Sequence, residues 1–215
     1  MSVLANDTQA VKTSHGPAHV HRDDIGARMG MWLFLFTELI LFGGMFFLYA
    51  VYRFMNQEDF HIAAKELNTL IGTFNTAILL TSSLTMALSI TAIQKKNRNL
   101  SIFFQLLTIL LAMGFMVNKY FEWTAKFHHG IYPGSEELLS GSSGQILFFG
   151  LYYVMTGLHG LHVVIGMVLI GVMTRFTARG IINSESYVKL EAAGLYWHLV
   201  DIIWIFLFPL FYLIT

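Results

Sequence analysis

Long apolar runs broken by short polar stretches set the pattern of this chain. They predict five helices, over residues 30–53, 69–94, 99–123, 144–175 and 191–214. A helix that crosses a bilayer needs about 20 mostly apolar residues, and each run meets that length. The expected fold class is therefore all-α: a polytopic membrane helix bundle with five transmembrane helices. The connections between them are short and polar. Glu58, Asp59, Lys65 and Glu66 predict a small surface segment between the first two spans. Pro133, Gly134, Gly141 and Gly144 mark turns before the fourth. Residues 1–29 read as a polar cytoplasmic tail with no apolar stretch, so no cleaved signal peptide is expected. Residues 30–215 read as one membrane domain.

Basic residues orient the bundle. With the N-terminus inside, the inner segments hold Lys12, Arg22, Arg28, Lys95, Lys96, Arg98, Arg175, Arg179 and Lys189, and the outer ones hold Arg53, Lys65 and Lys126. Lys and Arg concentrate on the cytoplasmic side of membrane proteins, so the expected topology is N-terminus inside, C-terminus outside.

Composition agrees with a membrane bundle and excludes other classes. Hydrophobic residues make up 55% of the 215 positions and charged residues 12%, about half the charge of a soluble domain. A formal net charge of zero leaves no basic footprint for nucleic acid. The absence of cysteine excludes thiolate metal sites, disulfides and a covalently attached c-type haem.

Against this apolar background the ionisable residues stand out, because a charge in hydrocarbon asks for a partner or a purpose. Glu38 lies about 12 Å into the first span by helix rise. It reads either as a proton-active or lipid-contacting carboxyl, or as one hydrogen-bonded inside the bundle. His159 and His162 are three apart on one face of the fourth span. No carboxylate stands beside them at ligand spacing, so packed, hydrogen-bonded histidines are expected and no metal site. His198 and Asp201, three apart on the fifth span, are expected to pair with each other and hold the bundle together, with a proton relay as the alternative. Glu191 shares their broad face. A haem shared by His162 and His198 is disfavoured, since helix rise puts them at depths of about 18 and about 10 Å. Lys119 and Glu122 are expected to pair near the outer end of the third span, beside the interfacial aromatics Tyr120 and Trp123. His15, His19 and His21 read as part of a solvated tail. The second span carries Asn75, Thr76, Ser82, Ser83 and further hydroxyl residues, a composition expected of a helix–helix interface.

Five motifs, taken in order, resemble subunit III of the haem-copper cytochrome oxidases. They are Trp32-Leu33-Phe34-Leu35-Phe36-Thr37-Glu38, Asn75-Thr76-Ala77-Ile78-Leu79-Leu80-Thr81-Ser82-Ser83, Lys119-Tyr120-Phe121-Glu122-Trp123, Thr156-Gly157-Leu158-His159-Gly160-Leu161-His162, and Tyr196-Trp197-His198 with Asp201 and Trp204. The chain is similar to the short bacterial form, which lacks the first two helices of the longer one. The resemblance implies a subunit with no haem or copper of its own and no catalysis by itself. The haem and copper would sit in partner subunits I and II of a proton-pumping cytochrome c oxidase. The chain would steady subunit I, support proton uptake and contact membrane lipid, with phospholipid as a further ligand, in the bacterial cytoplasmic membrane. Short subunit III also resembles an accessory protein of nitric oxide reductases and the equivalent subunit of quinol oxidases. Glu38 favours the cytochrome c branch, because the quinol branch often carries Asp there. A freestanding transporter would show an inverted repeat and broken helices. Neither is visible, and Pro209 is the only proline within a span.

Overall fold

The structure, a computed structural model, describes residues 24–128 and 130–214. The tail histidines His15, His19 and His21, and the basic residues Lys12 and Arg22, lie outside the described residues. Seven helices occur among the described residues: α1 (Asp24–Met55), α2 (Gln57–Ala64), α3 (Thr69–Gln94), α4 (Arg98–His128), α5 (Glu136–Leu139), α6 (Ser143–Ala178) and α7 (Val188–Tyr212). Five of them, α1, α3, α4, α6 and α7, are long and apolar enough to cross a membrane, as the hydrophobic pattern predicts.

Local signals set the helix ends. Asn68 caps α3, its side-chain oxygen accepting from the Leu70 and Ile71 amides at 3.0 and 3.3 Å. Ser142 caps α6 through the Gln145 amide. The tight turn between α3 and α4 puts Lys96 in the left-handed region, at φ 60°. Two helices extend past their apolar runs. α1 begins at Asp24 rather than at residue 30, and α4 continues past Trp123 to His128. Gly130, at φ 68°, follows α4, and no glycine or proline stands between Trp123 and His128 to stop it earlier.

α3, α4, α6 and α7 form a closed ring in which each packs on the next, and α1 lies on the flank against α6 and α7. Of the five long helices, α7 is the most buried and α1 the most exposed. The hydroxyl-bearing face of α3 turns toward both of its neighbours. The Trp197 indole of α7 donates to Ser82 at 3.1 Å, and the Trp204 indole donates to Thr76 at 3.0 Å. On the other side, Asn118 of α4 donates to Asn75 at 2.9 Å, and the Thr85 and Thr108 hydroxyls meet at 2.7 Å. In hydrocarbon, where water cannot satisfy these groups, such bonds join helices that have little hydrophobic reason to associate. Close approach adds to them at Gly166 of α6. A Cβ there would stand 2.7 Å from the Trp197 ring.

Candidate functional site

Three buried polar constellations occupy the bundle. The first lies at the end of the ring where α4, α6 and α7 meet. Lys119 and Glu122 are one turn apart on α4 and only 7% and 6% exposed. Their ion pair is 3.0 Å long. Glu122 Oε1 also accepts from the Tyr152 hydroxyl of α6 at 2.7 Å and from the Tyr212 hydroxyl of α7 at 2.6 Å. Lys119 Nζ donates to the same two phenol oxygens, at 3.1 and 2.9 Å. The ammonium thus uses its three protons, and both carboxylate oxygens have donors. The Tyr152, Trp204 and Tyr212 rings lie 5.1–5.6 Å from Nζ, within the range of cation–π attraction. Lys126, one to two turns on, donates to the Glu66 carbonyl at 3.1 Å. The expected pair of Lys119 and Glu122 therefore forms. It lies inside the bundle rather than at the end of its helix, because α4 runs on past it. Sequence reasoning missed Tyr152 and Tyr212; a tyrosine where phenylalanine would serve the bilayer equally well was the available signal.

The second constellation joins α1 to α6. Glu38 Oε2 and His162 Nε2 are 3.0 Å apart, both largely buried. His162 Nδ1 meets the Leu158 carbonyl at 2.7 Å. A carbonyl only accepts, so Nδ1 carries a proton, and the contact with Glu38 holds one further proton between nitrogen and oxygen. Phe42 packs edge-on against the imidazole and Tyr196 stacks on it. Glu38 is thus hydrogen-bonded inside the bundle, with a partner on another helix.

The third lies between α3 and α7, and it corrects an expectation. His198 does not pair with Asp201. Its Nδ1 meets the Ser83 hydroxyl at 2.6 Å. Ser83 also stands beside Asp201, but both carboxyl oxygens of Asp201, a residue 2% exposed, lack a hydrogen-bonding partner among the described residues. A spacing of three puts the two side chains on one face of α7 without aiming one at the other, and the α3 hydroxyl takes the imidazole instead. Glu191, seven residues before His198, forms a 3.0 Å ion pair with Arg28 of α1.

His159 is a further correction. It is fully buried, yet neither ring nitrogen has a hydrogen-bonding partner among the described residues. Its ring packs against Phe115 and Trp204, at 5.7 and 5.2 Å between centroids. Of the two neighbouring histidines, only His162 is hydrogen-bonded. Among the described residues no three His, Asp or Glu side chains gather as a metal site would need. An apolar groove of about 420 Å³ runs between α4 and α6, past Met116, Trp123, Gly157 and Leu161.

The sequence matches the family described as "Cytochrome c oxidase subunit III" over residues 2–215. It is 34% identical to the cytochrome c oxidase subunit 3 of Synechocystis sp. over 216 aligned residues, covering 99% of this chain and 86% of that one. A heme-copper oxidase subunit I+III from Aeropyrum pernix is 29% identical over 87% of this chain and 22% of its own length. A probable quinol oxidase subunit 3 from Staphylococcus saprophyticus is 28% identical, over 87% of this chain and 88% of the relative.

Proposed function

The chain belongs to the cytochrome c oxidase subunit III family, and from that membership we propose that it is the non-catalytic, cofactor-free subunit III of a respiratory haem-copper terminal oxidase. It sits against subunit I, with subunit II, in a bacterial cytoplasmic membrane, N-terminus inside. Haem and copper belong to those partners. The observation that carries the association is the Aeropyrum pernix relative, named as subunit I+III, of which only 22% aligns with this chain. The geometry is compatible. The buried polar groups mostly bind one another across helices, which suits a supporting bundle. α1 turns Trp32, Phe36, Ile40 and Phe47 outward, an apolar face for lipid or a partner helix. Phospholipid suits the groove between α4 and α6.

The role is to stabilise subunit I and to support proton uptake during aerobic electron transport. Glu38 and His162 favour the second part, since they hold a transferable proton within the bundle. The Staphylococcus saprophyticus relative supports a second reading in which the electron donor is a quinol rather than cytochrome c.

Mild detergent extraction of native membranes tests the assignment. The chain is expected to purify with a large haem-bearing subunit and to show no visible absorption once separated. A stoichiometric haem or copper signal from the isolated chain overturns the proposal. Oxygen uptake by the complex, with reduced cytochrome c or with a quinol as donor, decides between the two readings.

A further inference from the structure

A cleft of about 400 Å³ opens between α1, α3 and α7, at the end of the bundle that bears Arg28 and Glu191. Met31, Trp32, Ile90 and Leu195 line its walls, and the ion pair of Arg28 and Glu191 stands beside them. His198 lines it too. The half-buried imidazole has one nitrogen on Ser83. Its other nitrogen, Nε2, has no hydrogen-bonding partner among the described residues. Beyond Ser83 lies the Asp201 carboxyl, nearly inaccessible and without a hydrogen-bond donor. An ionised carboxylate with no donor at that depth is expensive. A titratable group has been placed where packing alone would have chosen an apolar one.

We propose that Asp201 is a proton-binding site inside the bundle, which exchanges with water in the cleft through His198 and Ser83. The transfer balances. A proton from the cleft bonds to Nε2 of His198. The proton on Nδ1 passes to the Ser83 oxygen as the serine gives up its own. That proton closes the O–H bond on Asp201. The imidazole ends neutral, as the other tautomer, and the reverse sequence empties the site. A rotation of the Ser83 hydroxyl, from His198 toward Asp201, completes the link.

The surroundings leave this route to itself. α3 has no charged residue from Thr69 to Gln94. On α1, Arg28 is engaged with Glu191 and Glu38 with His162. On α6, His162 holds Glu38 and the Leu158 carbonyl, while His159 packs between Phe115 and Trp204. Among the described residues, Ser83 is the polar side chain that bears on Asp201, and no charged group does. The inference goes beyond the oxidase assignment and does not rest on it, because the site lies wholly within this chain.

Infrared spectroscopy of the full chain, in the complex in which it purifies, tests it. A carboxylic-acid C=O band present in the wild type and absent in Asp201→Asn identifies the site. On transfer to deuterated water that band is expected to shift readily in the wild type. In Ser83→Ala and His198→Phe it is expected to shift about 10²-fold more slowly, the lower end of what a positioned proton-transfer group contributes. Ser83→Thr, which keeps the hydroxyl, restores the rate. The proposal is overturned by the absence of an Asp201-dependent band, by a wild-type band that does not exchange, or by unchanged exchange in both variants. If Ser83→Ala fails to assemble, His198→Phe decides alone.

Discussion

Glu38 and His162 face each other at 3.0 Å across α1 and α6, and with His162 Nδ1 committed to the Leu158 carbonyl they hold a single proton between them. The contact fastens the most exposed helix of the bundle to its core. It also makes two replacements of Glu38 unequal. Glu38→Gln keeps an amide that can meet Nε2, whereas Glu38→Ala leaves that nitrogen unpaired. The alanine variant is expected to lose about 1–3 kcal/mol of stability, and the glutamine variant clearly less, in thermal unfolding of the purified subunit. In the assembled complex Glu38→Gln is expected to sustain initial oxygen reduction, with slower proton uptake or earlier inactivation. Complete loss of oxygen reduction in a normally assembled Glu38→Gln complex would place this carboxyl on an obligatory path.

The contact of Ser83 with His198 reverses the ranking that spacing alone suggests. If His198 and Asp201 were partners, removing Asp201 would orphan the histidine. The hydroxyl is the partner instead. Ser83→Ala is therefore expected to destabilise the bundle by about 1 kcal/mol, and Asp201→Asn to be close to neutral. Denaturation of the two variants in detergent compares them directly. A large loss in Asp201→Asn with none in Ser83→Ala would restore the pairing of His198 with Asp201.

What could be read ahead of the structure follows from the range of each interaction. The five spans are local, a matter of apolar length, and they emerge clearly. The pair of Lys119 and Glu122 is local too, one turn of one helix. The hydroxyl face of α3 could be assigned to packing from its composition, but not to particular indoles on α7. Glu38 and His162 are 124 positions apart in the chain, and Ser83 and His198 are 115 apart. Helical periodicity says which face a residue occupies and nothing about which distant helix meets that face. His159 misled for a related reason. A histidine inside a bundle is expected to bond, and this one instead packs its ring against Phe115 and Trp204.

Gly166 gives a test of packing without polar chemistry. A Cβ at this position would stand 2.7 Å from Trp197, a fully buried ring that is itself bonded to Ser82. The ring has little freedom to withdraw. Gly166→Ala is expected to separate α6 from α7 at a loss of about 1–3 kcal/mol, outweighing the gain in helix propensity of about 1 kcal/mol. A raised melting temperature in Gly166→Ala would show that the interface yields more easily than this contact implies.

The cluster of Lys119, Glu122, Tyr152 and Tyr212 makes the sharpest energetic prediction, because every polar atom in it is engaged. Removing one ion of a buried pair leaves the other uncompensated, which typically costs about 3–5 kcal/mol. Lys119→Met is therefore expected to be severely destabilising, although it preserves most of the volume. Glu122→Gln is expected to be destabilising by a similar amount: the amide oxygen still accepts from the two phenols, but the amide nitrogen then faces Lys119 Nζ, which loses both its counter-charge and an acceptor. Tyr152→Phe and Tyr212→Phe each remove one donor to Glu122 and one acceptor for Lys119, for about 1–3 kcal/mol each. The double variant Lys119→Met with Glu122→Leu removes both charges at once and is expected to recover much of the loss of Lys119→Met alone. Unfolding of Lys119→Met, Glu122→Leu and the double variant, with the parent protein, forms a closed cycle whose coupling term reads the interaction directly. A cycle with no coupling would mean that the two charges are stabilised separately, by water or by lipid headgroups, and that the four side chains do not act as one unit.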